Sequence, residues 1–361
     1  MRSATRVETR KPKTEDRKGE GGPRFFGIRL VVGWAWVIGF AATAQPFRFP
    51  TANQALLEPG GEERFFVGTT GKPPASGMFG CVRSGGGQMH EGLDIRCVKR
   101  NATGEPVDAV LATADGVLAY RNDKPSLSNY GRYAIVRHRL DGLEIYSLYA
   151  HLAEIRGDLK IGQPVRQGET LGVMGRSTNT REGISKERAH VHFELNLLLS
   201  DRFPDWYRRS YPRQRNDHGL WNGQNMVGLD PRLVLLQSAR LKERFSLRQF
   251  VEGQTELCRV LVRHRDFSFA RRYASLIQPN PVAVREGVAA YEISLNFNGV
   301  PFRLVPRAAS EIKQMAGGPV QLLAVNEAEW RRHPCRKLVS RAGTKWSLAN
   351  NGRNLIGLMV H

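Results

Sequence analysis

The chain has 361 residues, 41% hydrophobic and 24% charged, a balance that excludes wholesale disorder and leaves room for two domains with cores of their own. Its 54 lysines and arginines against 34 acidic residues give a formal net charge of +20. A surface of that sign seeks a polyanion: nucleic acid, anionic lipid headgroups or an acidic envelope polymer.

Residues 1–29 are polar and basic; an apolar run, Leu30 to Phe40, then closes on Ala42-Thr43-Ala44. A basic flank, a short apolar stretch and a small-x-small exit describe a secretory signal peptide cleaved after Ala44. The run falls short of the about 20 residues that span a bilayer. The flank is long, so a start downstream of Met1 or an uncleaved membrane anchor is the alternative, and no nearby cysteine points to a lipid anchor. Export to the periplasm, envelope or medium argues against a nucleic-acid partner and permits disulfides. Cys81, Cys97, Cys258 and Cys335 allow three pairings. Chain order favours Cys81–Cys97 and Cys258–Cys335. The first would close a loop worth about 3 kcal/mol in the chain-entropy model and stiffen His90 and Asp94 within it.

Residues 45–75, rich in proline and glycine around Phe65-Phe66-Val67, read as a linker or wrapping arm. From 76 to 200 the pattern is short strands between turns. Val110–Ala114 and Val117–Tyr120 flank Asp115-Gly116, and Tyr133–His138 and Leu143–Tyr146 flank Leu140-Asp141-Gly142. Asp-Gly tolerates the positive φ of a type I′ turn, so both spacings predict hairpins within an antiparallel sheet. Residues 201–237 bring Trp206, Tyr207, Tyr211 and Trp221, either a groove rim or a loop packed on its own aromatics. Helical spacing from Arg232 to Phe250 leads into a smaller α+β domain, 238–361. There Tyr291–Phe297 turns at Asn298-Gly299 into Phe302–Val305, Leu322–Val325 and Leu355–Met359 read as further strands, and Glu327–Arg332 as a short helix. His264, His333 and His361 have no partner spacing.

The stretch Ala189-His190-Val191-His192-Phe193-Glu194 carries the chemistry. In a strand His190, His192 and Glu194 share one face and Val191, Phe193 and Leu195 the apolar other. Two imidazoles roughly 6.5–7 Å apart along the strand can serve one metal centre. His90 and Asp94, four apart across Gly92, add a nitrogen and a carboxylate oxygen. Two histidines and one carboxylate with an open position describe a catalytic rather than structural zinc site. His151, after the second strand of the Asp141-Gly142 hairpin, and one histidine of the pair are left as proton-handling groups.

His90-x-x-x-Asp94, Tyr149-Ala-His151-Leu, Gly172-Val-Met-Gly175-Arg-Ser177 and His190-x-His192-Phe-Glu194, in that order, resemble the lysostaphin-type (LytM-like) zinc metallopeptidases. The resemblance covers roughly 76–200. It implies a mainly β antiparallel domain (the duplicated hybrid motif), zinc on His90, Asp94 and His192, and His151 and His190 acting on the attacking water. Glu194 is left either orienting a ligand or solvated. The implied activity is exported endopeptidase cleavage of peptidoglycan crosslinks, with anionic envelope polymers as further partners. The alternative is a metal-free relative that binds and activates other wall hydrolases. Two departures stand out. Glycyl-glycine-cutting relatives have a tyrosine shortly before the first ligand, and Val82 to Met89 has none, which favours a crosslink with D-amino acids. The 178–189 loop is also longer and more charged than usual, placed to wall one end of the groove or regulate entry, and whether residues 45–75 cover the groove in a latent form is left open.

Overall fold

The computed structural model describes residues 45–315 and 318–361; the signal segment expected at 1–44 lies outside them. Among the described residues no helix is long and apolar enough to cross a membrane.

The main sheet has seven strands, all antiparallel. From one edge they run Met226–Leu229, His190–Leu198, Leu143–Leu152, Arg132–Leu140, Gly116–Asn122 and Pro164–Val165, and Leu93–Arg96 pairs with the first half of His190–Leu198. The chain is therefore mainly β and antiparallel. All nine residues of His190–Leu198 are buried, because neighbours flank the strand on both edges and both faces are covered. Val191, Phe193, Leu195 and Leu197 join the main apolar core, while His190, His192, Glu194 and Asn196 are the buried polar set of the other face.

One of the two Asp-Gly hairpins forms as expected. Leu140 pairs with Leu143, and Asp141 and Gly142 sit at φ 52° and 74°, as a type I′ turn requires. Asp115-Gly116 closes no hairpin. Ala109–Leu111 pairs with Thr170–Val173 in a separate three-stranded sheet, and Gly116–Asn122 pairs with Arg132–Leu140. Gly116 answers a different demand: a Cβ there would meet Arg137 O at 2.5 Å and His138 Nδ1 at 2.7 Å.

The remaining segments wrap this sheet. Phe47, Phe49, Phe65 and Phe66 of the 45–75 stretch are fully or almost fully buried, and they belong to the same core cluster as Phe193, Val260, Ile293 and Met359. A helix spans Pro231–Leu241, its first turn capped by the Asp230 carboxylate on the N–H groups of Arg232 and Leu233. The helical stretch expected to continue to Phe250 breaks at Lys242, where φ is 52°, and resumes as Leu247–Glu252. A four-stranded antiparallel sheet follows, ordered Pro301–Arg307, Ala290–Leu295, Cys258–Val262 and Val320–Val325. Its Asn298-Gly299 hairpin is pinned by Asn296 Oδ1, which accepts the N–H groups of Asn298 and Val300. Glu327–Arg332 is helical as expected. Leu355–Met359, expected as a strand, is the end of helix Asn350–Met359. Gly352, Leu355, Ile356, Leu358 and Met359 are buried with Gly357 exposed, a helical period that five residues are too few to display.

Cysteine pairing also departs from expectation. Cys81 bonds Cys335 across 254 positions, and Cys97 and Cys258 are buried free thiols. Pairing by chain order assumes that bridges stay within a segment. Here the Cys335 segment packs against strand Gly80–Arg83, and the bridge ties it to the hairpin that carries His90.

Candidate metal centre

Strand register assembles the centre. Asp94 lies directly opposite His192 in adjoining antiparallel strands, and Ala150, next to His151, lies opposite His192 on the other side. Side chains paired this way share a face at close range. His90 ends the hairpin strand Gln88–His90, paired to Gly80. Gly92 lets the chain turn between His90 and Asp94 under the histidine strand. A Cβ there would meet Phe193 O at 2.4 Å and His192 Cε1 at 3.0 Å.

Three donor atoms converge. His90 Nε2 lies 3.1 Å from Asp94 Oδ1, His192 Nδ1 lies 3.0 Å from the same oxygen, and the two nitrogens are 3.1 Å apart. His190 Nε2 is 3.5 Å from Asp94 Oδ1. Each ring is held by its other nitrogen: His90 Nδ1 on Met78 O at 2.8 Å, His190 Nδ1 on Arg188 O at 2.6 Å, and His192 Nε2 on Glu194 Oε1 at 2.7 Å. A carbonyl or carboxylate there takes the ring N–H and turns the lone pair of the opposite nitrogen inward. His151 is held likewise, Nδ1 on Ser177 O at 2.9 Å. Its backbone sits at φ 63°, unusual for a residue with a side chain, and its ring centroid is 4.9 Å from that of His190. All five expected side chains thus meet. His90, Asp94 and His192 offer donor atoms within 4.8 Å of one another, two imidazole nitrogens and a carboxylate oxygen, which is the donor chemistry zinc favours.

Electrostatics fit an assembled cation site. Burial alone would raise the Asp94 carboxyl, but His90, His190 and His192 together hold it well below the usual range. Burial likewise opposes a charged His192, yet hydrogen bonds accepted by the Asp94 and Glu194 carboxylates lift that imidazole to about 9. Burial, with His190 and His192 nearby, presses His151 well down, and burial keeps His190 down.

Three contributors escaped the sequence reading. Arg83 donates from Nη2 to Asp94 Oδ2 at 2.7 Å, leaving Oδ1 to face the histidines. Tyr130 donates to Glu194 Oε1 at 2.6 Å, and its ring lies 5.6 Å from that of His192. Asn196 donates to Glu194 Oε2 at 2.7 Å. Glu194 is therefore fully engaged rather than solvated. Asn196 could have been read from the strand period, two positions beyond Glu194. Arg83 and Tyr130 arrive from a hairpin and a loop that carry no recognisable spacing.

The centre adjoins a cavity of about 540 Å³ whose wall includes Glu194, Tyr130, Trp206, Tyr211 and Trp221, so part of the aromatic stretch does line a recess. The charged 178–189 loop is strapped across the fold. Arg188 donates to Gly68 O and Thr70 Oγ1, and Arg100 donates to Lys186 O.

The model of peptidase family M23 matches residues 88–201. Over 111 residues the chain is 34% identical to the cell division protein DipM of Caulobacter vibrioides; the match takes in 31% of this chain and 15% of that protein's length. Similar solved structures include the catalytic domain of the prophage-encoded M23 protein EnpA of Enterococcus faecalis, with 19% identity, 36% of this chain and 79% of that one covered, and a TM-score of 0.25. The catalytic domain of the antimicrobial peptidase lysostaphin from Staphylococcus simulans is similar at 19% identity, with 36% and 74% covered and a TM-score of 0.23.

Proposed function

We propose that this chain, whose residues 88–201 belong to peptidase family M23, is an exported zinc-dependent endopeptidase that hydrolyses peptide crosslinks of bacterial peptidoglycan. The observation that carries this reading is the convergence of His90 Nε2, Asp94 Oδ1 and His192 Nδ1, with the far nitrogen of each ring already committed. These three residues would hold the ion. When bound, zinc supplies Lewis-acid polarisation of a carbonyl and an acidified water. Around it, Arg83 occupies Asp94 Oδ2 and keeps that carboxylate presenting one oxygen. Glu194 orients the His192 ring, and Tyr130 and Asn196 orient Glu194. Nδ1 of His151 and of His190 is spent on a carbonyl, which leaves Nε2 of each as the nitrogen to take a proton from the attacking water and return it to the leaving amine. Depressed basicity suits that task, since a ring neutral near pH 7 can accept a proton.

The excess positive charge would concentrate the enzyme on anionic envelope polymers. A disulfide between Cys81 and Cys335 supports an oxidising compartment, in keeping with the expected leader at 1–44. Similarity to a cell division protein supports a role at the wall.

The test is digestion of purified peptidoglycan with and without a chelator, reading new amino termini by mass spectrometry. Chelator-sensitive termini at a single crosslink type are expected. Intact sacculi in the presence of zinc, with a folded protein, would leave a binding module that acts on other hydrolases.

A further inference from the structure

The cavity beside the centre is walled on one side by the 88–201 segment and on the other by residues from beyond it: Asn298, Arg336, Asn351 and Leu355. Two of the buried polar atoms without a hydrogen-bond partner belong to that outer wall. Asn298 is 2% exposed; its Nδ2 donates to Gly228 O at 2.8 Å, which fixes the amide orientation and leaves Oδ1 as an unpartnered acceptor. Arg336 Nε is likewise unpartnered, and its guanidinium makes no ion pair among the described residues. Burial presses its basicity down, partly offset by the field of Glu91 on the opposite wall. Among the described lining residues Arg336 is the one permanent cation. Of the two carboxylates that line the cavity, Glu194 is committed to His192, Tyr130 and Asn196, and Glu91 acts on Arg336 through its field without an ion-pair contact.

A largely buried guanidinium with no carboxylate in contact takes a carboxylate or phosphate. The unpartnered oxygen of Asn298 favours the carboxylate of a peptide, because it needs a donor: a phosphodiester has none, and inorganic phosphate has only a P–OH on the same centre that Arg336 would bind. A peptide end supplies both, an N–H one bond set away from its carboxylate. Position is fixed from two sides. Cys335, the preceding residue, is bonded to Cys81 of the His90 hairpin, and Asn351 Nδ2 donates to Arg336 O at 2.8 Å.

We propose that this cavity is a subsite for a peptide strand bearing a free carboxylate, Arg336 pairing with the carboxylate and Asn298 Oδ1 accepting an N–H of the same strand. It rests on the endopeptidase reading for its meaning, since the subsite would select the uncapped end of a crosslinked peptide beside the reacting bond. The wall that supplies it lies outside the family-matched residues, so this selectivity is a property of the whole chain.

The test measures equilibrium binding of an N-acetylated dipeptide acid and of its carboxamide to the full chain, by isothermal titration and by the fluorescence of Trp206 and Trp221, which line the cavity. The acid is expected to bind at least about tenfold more tightly than the amide. The preference should vanish in Arg336→Gln and survive in part in Arg336→Lys, with zinc content and melting temperature unchanged. Inorganic phosphate should compete weakly. Equal binding of acid and amide by the unsubstituted protein overturns the subsite, and needs no variant to fold. A preference that persists in Arg336→Gln overturns the role of Arg336, as does phosphate displacing the acid at equal concentration. Acid-selective binding by a protein that leaves peptidoglycan uncut supports the subsite and refutes the hydrolase. Cutting without acid selectivity does the reverse.

Discussion

Asp94 and His192 face each other across adjoining antiparallel strands, and the register alone brings Oδ1 of one within 3.0 Å of Nδ1 of the other. His190, two residues earlier on the same face, reaches only 3.5 Å from that oxygen. The difference supports His192 as the proposed ligand of the pair. His192→Ala should lose zinc on dialysis, whereas His190→Ala should keep it and lose turnover by roughly 10²–10⁴, the ordinary scale of general acid–base catalysis. Metal analysis after dialysis, beside peptidoglycan turnover, decides it. Zinc lost from His190→Ala and retained by His192→Ala would reverse the assignment.

Glu194 would act on a bound ion only through His192. Its Oε1 holds the ring nitrogen that faces away from the centre, and Tyr130 and Asn196 hold the carboxylate in turn. Glu194→Ala frees the ring to rotate and removes the charge that raises its basicity. Zinc affinity should fall by roughly 10- to 100-fold, the range seen when a partner behind a ligand is removed. A competition titration against a chromophoric chelator reads this directly, and an unchanged affinity would show that packing alone orients the ring.

Gly92 tests whether the centre depends on backbone approach as well as on side chains. A methyl at this position meets Phe193 O at 2.4 Å and Glu194 Cγ at 2.9 Å, and the carbonyl belongs to the buried histidine strand and cannot move freely. Gly92→Ala should cost about 1–3 kcal/mol of stability, as overpacking of a tight site does, and weaken zinc binding with it. Denaturant titration with and without zinc separates the two effects. A variant as stable as the parent in both would mean the strand pair opens readily.

The centre was legible in the sequence because alternation along a strand is a local rule. His190, His192 and Glu194 could be placed on one face from their spacing, and the type I′ turn at Asp141-Gly142 from its residue pair. His90, Asp94 and His151 needed a family pattern, since nothing local says that strands 100 residues apart will adjoin. Arg83 and Tyr130 were illegible for the same reason without the pattern's help. Asp115-Gly116 misled because glycine serves two purposes, positive φ and close approach, and here it serves the second beside His138. The Cys81–Cys335 bridge joins segments whose contact is a property of the finished fold.

That bridge gives a stability prediction. In the chain-entropy model a loop of this length contributes about 5.5 kcal/mol, just above the measured range. Cys97 and Cys258 are buried and free, so no alternative pairing restores the link without unfolding. Reduction, or the double replacement Cys81→Ser with Cys335→Ser, should lower the denaturation midpoint by an amount corresponding to about 2–5 kcal/mol. Oxidised and reduced protein unfolding at the same denaturant concentration would show that the two walls hold without the covalent tie.

His138 sets a pH dependence away from the centre. It is fully buried between strands, with Nδ1 on Asp115 O at 2.8 Å and Nε2 on Ser147 Oγ at 2.7 Å, and Ser147 Oγ lies 2.9 Å from the Tyr149 hydroxyl. Burial lowers its pKa from 6.5 to about 4, against the smaller opposing pull of Asp115. The unfolded chain therefore binds this proton below about pH 6.5 while the folded chain refuses it until about pH 4. Stability is complete above 6.5 and is lost as pH falls through that window, by roughly 3 kcal/mol in total. His138→Gln keeps a polar side chain between the same partners and cannot titrate. It should be less stable at pH 7 yet lose less on acidification. The difference in unfolding free energy between parent and variant, measured by urea titration at pH 7, 5.5 and 4.5, should therefore narrow steadily. A difference constant across that range would mean that His138 is protonated in the folded chain, and that Ser147 has turned to accept from it.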